Sequence, residues 1–406
     1  KMGFAGNIVP QVVIPTCVAN WSSGAHGAHS VLTSHGRVQG ISHADCYIGE
    51  EAYQRRETHH LSFPVSRGRI ENWDDIERFM QQAFFRNLRC IPEEHNFLLT
   101  EAPFNTPEKR ELTAEIMFET FNVKGLHIGV QAVLALYAQW VHDMSDSAAT
   151  PDLTGLVVDS GDGLTHIIPV ADGHIISSSI QEIPLAGHHV TKYIFDQLKE
   201  RNQPVPPDVC MDVARQIKEK HMYLCKDIAD ERSKFEQDPR KFKSFSGVAA
   251  KTKEAWTATV GHERYLAPEI FFNPGICKET LARPLPEVVD RCIMQCPIDY
   301  RRKLFRNIVL AGGSTTFLHF KERLQHEVQS VVDSRLQQVA SASGSAPRPI
   351  DVQVHGGRQR KQQRFAAWLG GSMFAQEQAF QRVVKTKREY EEVGPSCMRG
   401  SPVLLG

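Results

Sequence analysis

The chain has 406 residues, 41% hydrophobic and 23% charged, a length that favours two or three folded parts over one compact core. Lys plus Arg equals Asp plus Glu at 47 each, so the net charge is zero and no nucleic-acid or membrane-binding surface is indicated. The most apolar stretch, Val130 to Val141, is too short to span a bilayer, and no signal peptide is visible. We therefore expect a cytosolic protein.

Nine cysteines are spread irregularly along the chain. Only Cys292 and Cys296 lie close together, and no second pair offers further ligands for a zinc ion. Free buried thiols are the favoured interpretation.

The first half of the chain begins with a predicted strand and continues with predicted helices. It opens with a short strand, a turn at Ala5-Gly6-Asn7 and an apolar segment, Val12 to Ile14; Trp21 to Gly36 then has the composition of a surface insertion. Periodicity and capping residues predict three helices: Trp73 to Leu88, one that Thr106 caps with Pro107 in its first position, and Gly129 to Trp140.

A β-meander is predicted next. Its strands are Leu153 to Val158, Leu164 to Val170 and His174 to Ile180, and a turn with two glycines, Ser160 to Gly163, joins the first two. Apolar residues at helical spacing follow from Val190 to Leu198. A second helix is predicted from Asp208 to Tyr223.

A second glycine turn occurs near residue 312. The apolar strand Asn307 to Ala311 leads into Gly312, Gly313, Ser314 and Thr315, and Phe317 to Val332 has helical periodicity, which is the layout of an α/β fold. The opening segment resembles the second and third meander strands. We therefore expect two related α/β lobes, with the two glycine turns at corresponding strand ends and a ligand cleft between them.

Both glycine turns are candidates for phosphate binding. Asp159 precedes the first, where backbone amides can hold an anion and a carboxylate can hold hydrated Mg²⁺; a hairpin turn with a solvated Asp is the alternative. In the second, Ser314 and Thr315 begin a helix that favours anions; a tight connection with an N-cap is the alternative.

Three further polar positions have open interpretations. Gln131 could orient a water near a terminal phosphate or form a structural hydrogen bond. His166 could relay a proton, but a lone histidine on a strand is more often structural. The charges of Lys218 and Glu219 are typical of a solvated helix face.

A set of motifs, in the order of the actin family and at nearly its separations, resembles that family over essentially the whole chain. They are Gly3 to Asn7, Trp73 to Asp75, Gly129 to Tyr137, Val157 to His166, Ile217 to Lys220, Leu310 to Thr315 and Trp368 to Ser372. The resemblance implies an α/β, actin-like ATPase fold, two related ribonuclease-H-like lobes around a nucleotide cleft. Its four subdomains would be residues 1–20 with 64–138 and 366–406; 21–63; 139–185 with 282–365; and 186–281.

The resemblance also implies a cofactor, ATP or ADP with Mg²⁺, for which Ca²⁺ can substitute in vitro. Asp159 would hold the hydrated metal, and Gln131 with His166 would arrange the attacking water. The phosphates would contact Lys1, Ser160, Gly161, Asp162 and Gly163. The adenosine pocket would use Gly187, Arg215, Lys218, Glu219, Gly312, Gly313, Ser314, Thr316, Phe317 and Arg364.

The chain departs from the family pattern at several positions. The family's first phosphate loop would fall just before Lys1, so we expect further residues to precede it. His188-His189 stands where the family has Arg-Asp, Thr316 replaces a methionine that packs on adenine, and Arg67 replaces a modified histidine.

Other segments favour one branch of the actin-related proteins: His95 to Glu101, Asn105 to Glu111, Cys296 to Asp299, Pro349 to Val354 and Tyr390 to Ser396. This branch implies slow ATP hydrolysis at most and no metabolic reaction. The implied partners are actin-related protein 2 and the other subunits of the seven-subunit complex that nucleates branched filaments, actin filaments and monomers, and nucleation-promoting factors.

The implied location is the cytoplasmic cytoskeleton, without nucleic acid or membrane insertion. A divergent self-polymerising actin or another actin-related protein is the alternative. The expected insertions at Trp21 to Gly36, Phe235 to Trp256 and Gln337 to Pro349 argue against self-polymerisation.

Overall fold

The computed structural model describes residues 1–20, 46–66, 68–143, 152–207, 209–248, 253–277, 282–344 and 347–400. The predicted insertion at Trp21 to Gly36 and the position of Arg67 lie outside these residues. The chain divides into two compact units, unit 1 from Lys1 to Val130 and from Gly371 onward, and unit 2 from Gln131 to Gly370. Among the described residues, no helix has the length and hydropathy that a bilayer crossing requires. The finer division into four subdomains stays a prediction.

The strands of the described residues are β1 (Val18–Asn20), β2 (Cys46–Ile48), β3 (His60–Ser62), β4 (Val65–Ser66), β5 (Arg69–Ile70), β6 (Asn96–Glu101), β7 (Gly125–Val130), β8 (Gly155–Ser160), β9 (Thr165–Ala171), β10 (His174–Ile175), β11 (Gln181–Ile183), β12 (Lys243–Val248), β13 (Ala255–Val260), β14 (Ile308–Ala311), β15 (Val354–His355) and β16 (Lys385–Thr386).

The helices are α1 (Gly49–Gln54), α2 (Trp73–Gln82), α3 (Pro107–Glu115), α4 (Gln131–Asp143), α5 (Gly187–Glu200), α6 (Cys210–His221), α7 (Ile228–Gln237), α8 (Glu263–Glu269), α9 (Leu285–Gln295), α10 (Ile298–Arg306), α11 (Phe320–Ser343), α12 (Arg360–Arg364), α13 (Ala366–Phe374), α14 (Gln378–Val383) and α15 (Lys387–Val393). Helices α2 and α3 each continue into a stretch of wider π-helix, at Ala83–Leu88 and Ile116–Thr120.

Among its described residues, unit 1 contains two three-stranded sheets, with the orders β2-β1-β3 and β16-β7-β6, and the two-stranded sheet β4-β5. The opening of the chain forms the predicted turn, because Met2 and Val12 exchange backbone hydrogen bonds of 2.9 Å and Gly6 has a φ of +91°. Ser372 holds this turn in place, since its hydroxyl donates to the Asn7 carbonyl at 2.8 Å and accepts from the Gly6 amide at 3.1 Å.

The core of unit 1 contains a histidine. His127 lies within β7, is 0% exposed, and contacts the rings of Phe374 and Phe380 at centroid distances of 5.7 and 6.0 Å. Neither ring nitrogen has a hydrogen-bond partner of good geometry among the described residues. Burial lowers the pKa of this imidazole to about 4, and the nearby Val383 backbone opposes the shift to a smaller degree. His127 is therefore a neutral histidine in an apolar environment.

Unit 2 is built on a mixed sheet with the order β10-β9-β8-β14-β15, in which β11 also pairs with β9. Strand β8 runs antiparallel to β9 and parallel to β14. Its residues Leu156, Val157 and Val158 are fully buried, as expected of a central strand covered on both faces. Helices α4, α9 and α10 pack against the β8 and β9 strands, and α11 packs against α9 and β15.

Most predicted elements are present, with three corrections. Helix α4 begins at Gln131 because Gly129 and Val130 complete β7, paired with β6. The third meander strand is divided, since a turn at Ser177–Ser179 separates β10 from β11. The helix predicted from Phe317 begins at Phe320 and extends to Ser343, so the first half of the expected insertion from Gln337 is helical.

The two glycine turns do not belong to different lobes, as the internal repeat suggested, although the subdomain division implied by the family resemblance grouped residues 139–185 with 282–365. Strands β8 and β14 are hydrogen-bonded neighbours in the unit 2 sheet, and Ala311 pairs with Asp159. Because the strands are parallel, their carboxyl ends meet at the same edge of the sheet. Both turns therefore lie side by side in unit 2, and the periodicity of the sequence could not reveal which strands pair.

Candidate functional site

The candidate site lies at the carboxyl edge of β8 and β14, where ligands commonly bind in α/β sheets. Gly312 is required there because it has a φ of +88° and a Cβ on it would lie 2.2 Å from the Ser160 carbonyl oxygen. The same Cβ would lie 2.7 Å from an Asp159 carboxylate oxygen, so this carboxylate is beside the second glycine turn. The absence of a side chain on Gly312 lets the two strand ends approach closely.

A serine joins the two glycine turns. The Ser314 hydroxyl donates to the Gly161 carbonyl at 2.6 Å, across 153 positions of sequence. At the other side of the first turn, the hydroxyls of Ser160 and Thr165 lie 2.7 Å apart, and Thr165 donates to the Leu185 carbonyl at 2.6 Å. The ends of the turn are thus fixed by buried hydroxyl groups.

Helix α5 begins against the first glycine turn. The amide of Gly187 donates to the Gly161 carbonyl at 3.1 Å, and the amide of His188 donates to the Asp162 carbonyl at 2.7 Å. The first amides of a helix have no partner within it, and here the turn supplies the acceptors. A side chain at Gly187 has no room, since its Cβ would lie 2.7 Å from the Ser314 hydroxyl.

Lys218 supports the same turn from α6. It is 9% exposed, and its Nζ donates to the Gly187 carbonyl at 2.9 Å and to the Asp162 carboxylate at 3.2 Å. The interpretation of Lys218 as part of a solvated charge run is therefore wrong. Glu219 is exposed, and Arg215 is about half exposed with its guanidinium 3.5 Å from Asp212.

The space above the first turn is open. A Cβ built on Gly161 or Gly163 meets no atom of the described residues within 4 Å. Turns of this kind present backbone amides to anions, and Mg²⁺ is commonly held by a carboxylate together with substrate phosphates. An open glycine turn beside the Asp159 carboxylate therefore fits a nucleotide phosphate group with a divalent cation.

The candidate catalytic residues lie on neighbouring elements. Asp159 and His166 are directly opposite each other on β8 and β9, so their side chains share one face of the sheet. The His166 Nε2 lies 3.6 Å from the carboxylate of Glu182, which pairs with it from β11. Gln131 is the first residue of α4, which packs against β8 and β9.

Three of the candidate adenosine residues, Thr316, Phe317 and Arg364, lie at the second turn. Thr316 donates to the Gly313 carbonyl at 2.7 Å, and Phe317 is partly buried against the unit 2 core. The Arg364 Cγ lies 3.8 Å from the Cβ position of Gly313. These residues are adjacent, whereas Lys1 belongs to unit 1.

Several supporting residues were missed by the sequence interpretation. Gln363 is 9% exposed, and its amide donates to the Thr315 carbonyl at 2.9 Å and to the Thr315 hydroxyl at 2.8 Å. Thr165 and Glu182 were missed as well. No pattern in the sequence singles them out, because their partners lie on other strands, turns and helices and meet them only in the folded chain.

Comparison with known proteins gives the class of the molecule. The actin family model matches residues 1–237 and 208–400. The chain therefore belongs to the actin family, and the predicted α/β, actin-like fold is confirmed.

Within the family, the chain is similar to actin-related protein 3. It is 49% identical over 408 residues to actin-related protein 3 of Drosophila melanogaster and 46% identical over 421 residues to that of Acanthamoeba castellanii. Both comparisons cover 100% of this chain and 95% of the relative. The branch segments quoted from the sequence are those typical of actin-related protein 3, and this resemblance is confirmed.

Proposed function

We propose that this chain binds ATP with Mg²⁺ at the carboxyl edge of β8 and β14 and acts as the actin-related protein 3 subunit of the complex that nucleates branched actin filaments. The observation that carries the nucleotide proposal is the pair of glycine turns joined by Ser314 and Gly161, with open space above Gly161 and Gly163. Membership of the actin family supports the same ligand.

In this proposal, each part of the nucleotide has its own residues. Asp159 holds the hydrated metal ion, which neutralises phosphate charge when bound. The phosphates rest on Lys1 and the first glycine turn, Ser160 to Gly163. The adenosine contacts Gly187, Arg215, Lys218, Glu219, Gly312, Gly313, Ser314, Thr316, Phe317 and Arg364.

Hydrolysis is a minor part of the proposed function. Gln131 and His166 would orient a water, and the contact between His166 and Glu182 holds the imidazole on the Asp159 face of the sheet. A ligand shifts a conformational equilibrium only through its different affinities for the two states. Bound ATP would therefore stabilise the assembly-competent form, and the chain would work as a template rather than a metabolic enzyme.

The proposed partners are actin-related protein 2, the other subunits of the seven-subunit complex, actin filaments and monomers, and nucleation-promoting factors. The proposed location is the cytoplasmic cytoskeleton. Identities of 46–49% over the full chain to actin-related protein 3 support this assignment more than a self-polymerising actin.

Nucleotide binding can be tested by thermal unfolding. A ligand at a hundred times its dissociation constant stabilises the folded form by about 2.7 kcal/mol, so saturating Mg-ATP should raise the melting temperature. Asp159→Asn should reduce the rise, whereas Asp333→Asn, an exposed carboxylate on α11, should leave it unchanged. No rise for the wild-type chain would contradict the nucleotide proposal.

The assembly role can be tested by purification of the tagged chain from its native cells. We expect actin-related protein 2 and five smaller subunits in equal amounts. Isolation with chromatin remodelling factors, or sedimentation of the pure chain as its own filaments, would contradict the proposed role and favour another actin-related protein or an actin.

A further inference from the structure

A short segment beside the candidate site carries an unusual concentration of positive charge. Residues 358–364, here called the basic segment, contain Arg358, Arg360, Lys361 and Arg364, and no Asp or Glu occurs between Asp351 and Glu377. The chain as a whole has no net charge. The local excess is therefore a property of this segment and not of the overall composition.

The basic segment is fixed beside the second glycine turn. Gln363, within it, donates to the carbonyl and hydroxyl of Thr315, and its own carbonyl accepts from the Gly312 amide at 3.1 Å. Gly357 precedes the segment in a tight loop, since a Cβ there would lie 2.8 Å from the Gln363 amide nitrogen. The charges therefore have a defined place next to the site.

Three of these cations are exposed and form no ion pair within the described residues. Arg358, Arg360 and Lys361 have no ion pair with any described carboxylate, whereas Lys218 is bound to Asp162. Arg360 and Lys361 precede Arg364 by four and three positions on α12, so they lie on the same side of the helix, about 5–6 Å apart between Cβ atoms. That side borders Gly313.

We propose that Arg358, Arg360 and Lys361 form an electrostatic guide that accelerates the capture of the anionic nucleotide by the adjacent site. This inference rests on the proposed nucleotide binding and adds how the ligand arrives. Clefts bordered by charges of one sign raise the association rate of oppositely charged ligands, and the effect weakens as salt screens it. Charges in water are screened over about 8 Å at physiological ionic strength, so the acceleration should be strongest at low salt.

The guide can be distinguished from a direct contact by kinetics. The purified full chain is mixed with a fluorescent ATP analogue and Mg²⁺ in a stopped-flow instrument, and association and dissociation rate constants are measured from low to high salt. The test variant is Arg358→Gln, Arg360→Gln and Lys361→Gln together. The control variant, Lys199→Gln, Arg291→Gln and Arg306→Gln, removes the same charge from exposed positions on α5, α9 and α10.

We expect the test variant to associate about tenfold more slowly than the control at low salt and at the same rate at high salt. Its dissociation rate should be unchanged, and the melting temperatures of both variants should match in the absence of nucleotide. Equal association rates at low salt would overturn the guide, and so would a faster dissociation, which would indicate a direct contact. A wild-type chain that binds no nucleotide at all would instead overturn the proposed function itself.

Discussion

The buried His127 makes the stability of unit 1 depend on pH. The folded chain keeps the imidazole neutral because burial lowers its pKa from 6.5 to about 4. The unfolded chain takes up a proton at the ordinary pKa, so it binds more protons than the folded chain between about pH 6.5 and about pH 4. Stability linked to this group is therefore complete above about pH 6.5 and is lost as the pH falls.

The size of the effect follows from the two pKa values. One pH unit of difference corresponds to about 1.36 kcal/mol, so the difference of about 2.5 pH units corresponds to about 3.4 kcal/mol once the pH is below both values. Between about pH 7.5 and about pH 5, the same pKa values give a loss of about 2 kcal/mol in the free energy of unfolding. This is a large part of the 5–15 kcal/mol that is typical of folded proteins.

The test is urea unfolding of the wild-type chain and His127→Leu at these two pH values, with hydrogen exchange of the β6 and β7 amides as the local measurement. Leucine is close to histidine in volume and cannot be protonated. Acidification should therefore lower the free energy of unfolding of the variant by about 2 kcal/mol less than that of the wild type. His60→Leu, at an exposed position on β3, should lose as much as the wild type. Parallel losses for the wild type and His127→Leu would refute this assignment.

The remaining predictions concern the glycine turns. Gly312→Ala should lower the free energy of unfolding in urea by at least about 2 kcal/mol, because position 312 has a positive φ and the added Cβ would collide with the Ser160 carbonyl oxygen. Gly163→Ala has open space and should leave unfolding unchanged while it weakens Mg-ATP binding in calorimetry; equal stability and equal affinity would argue against the phosphate turn. Lys218→Met should weaken binding about tenfold, the equivalent of one charge-assisted hydrogen bond. Ser314→Ala should cost about 1 kcal/mol in unfolding, and an unchanged midpoint would show that its hydrogen bond is dispensable.

The sequence predicts local elements well where the apolar period is long and the turn residues are distinctive. The first two meander strands, the turn between Ser160 and Gly163, and the helix from Gly187 onward follow from alternation, glycine and helical spacing. The division of the third strand at Ser177–Ser179 does not, because three consecutive serines are compatible with a strand edge as well as with a turn.

The site could be predicted only in parts. Glycines with aspartate mark the first turn as a candidate, and glycines with hydroxyl residues mark the second. Strand pairing is a property of the whole sheet, so the internal repeat wrongly suggested that the turns lie in separate lobes. Lys218 looked like a surface charge because its partners, Gly187 and Asp162, come from other elements. Its burial depends on packing between α5 and α6, which no local pattern reports.

The alignment of β14 beside β8 also sets the order in which the molecule can become complete during synthesis. The hydroxyl of Ser314 and its acceptor on Gly161 are 153 positions apart, so Gly161 and all the chain between them are made before Ser314. Until Ser314 has been made, a growing polypeptide that has passed the first turn has no second turn to join, so the edge proposed for nucleotide is incomplete during early synthesis. Contacts between residues so far apart in the chain form slowly, and the edge of β8 lacks its neighbour until β14 is made, which is the condition under which unpaired strands tend to aggregate.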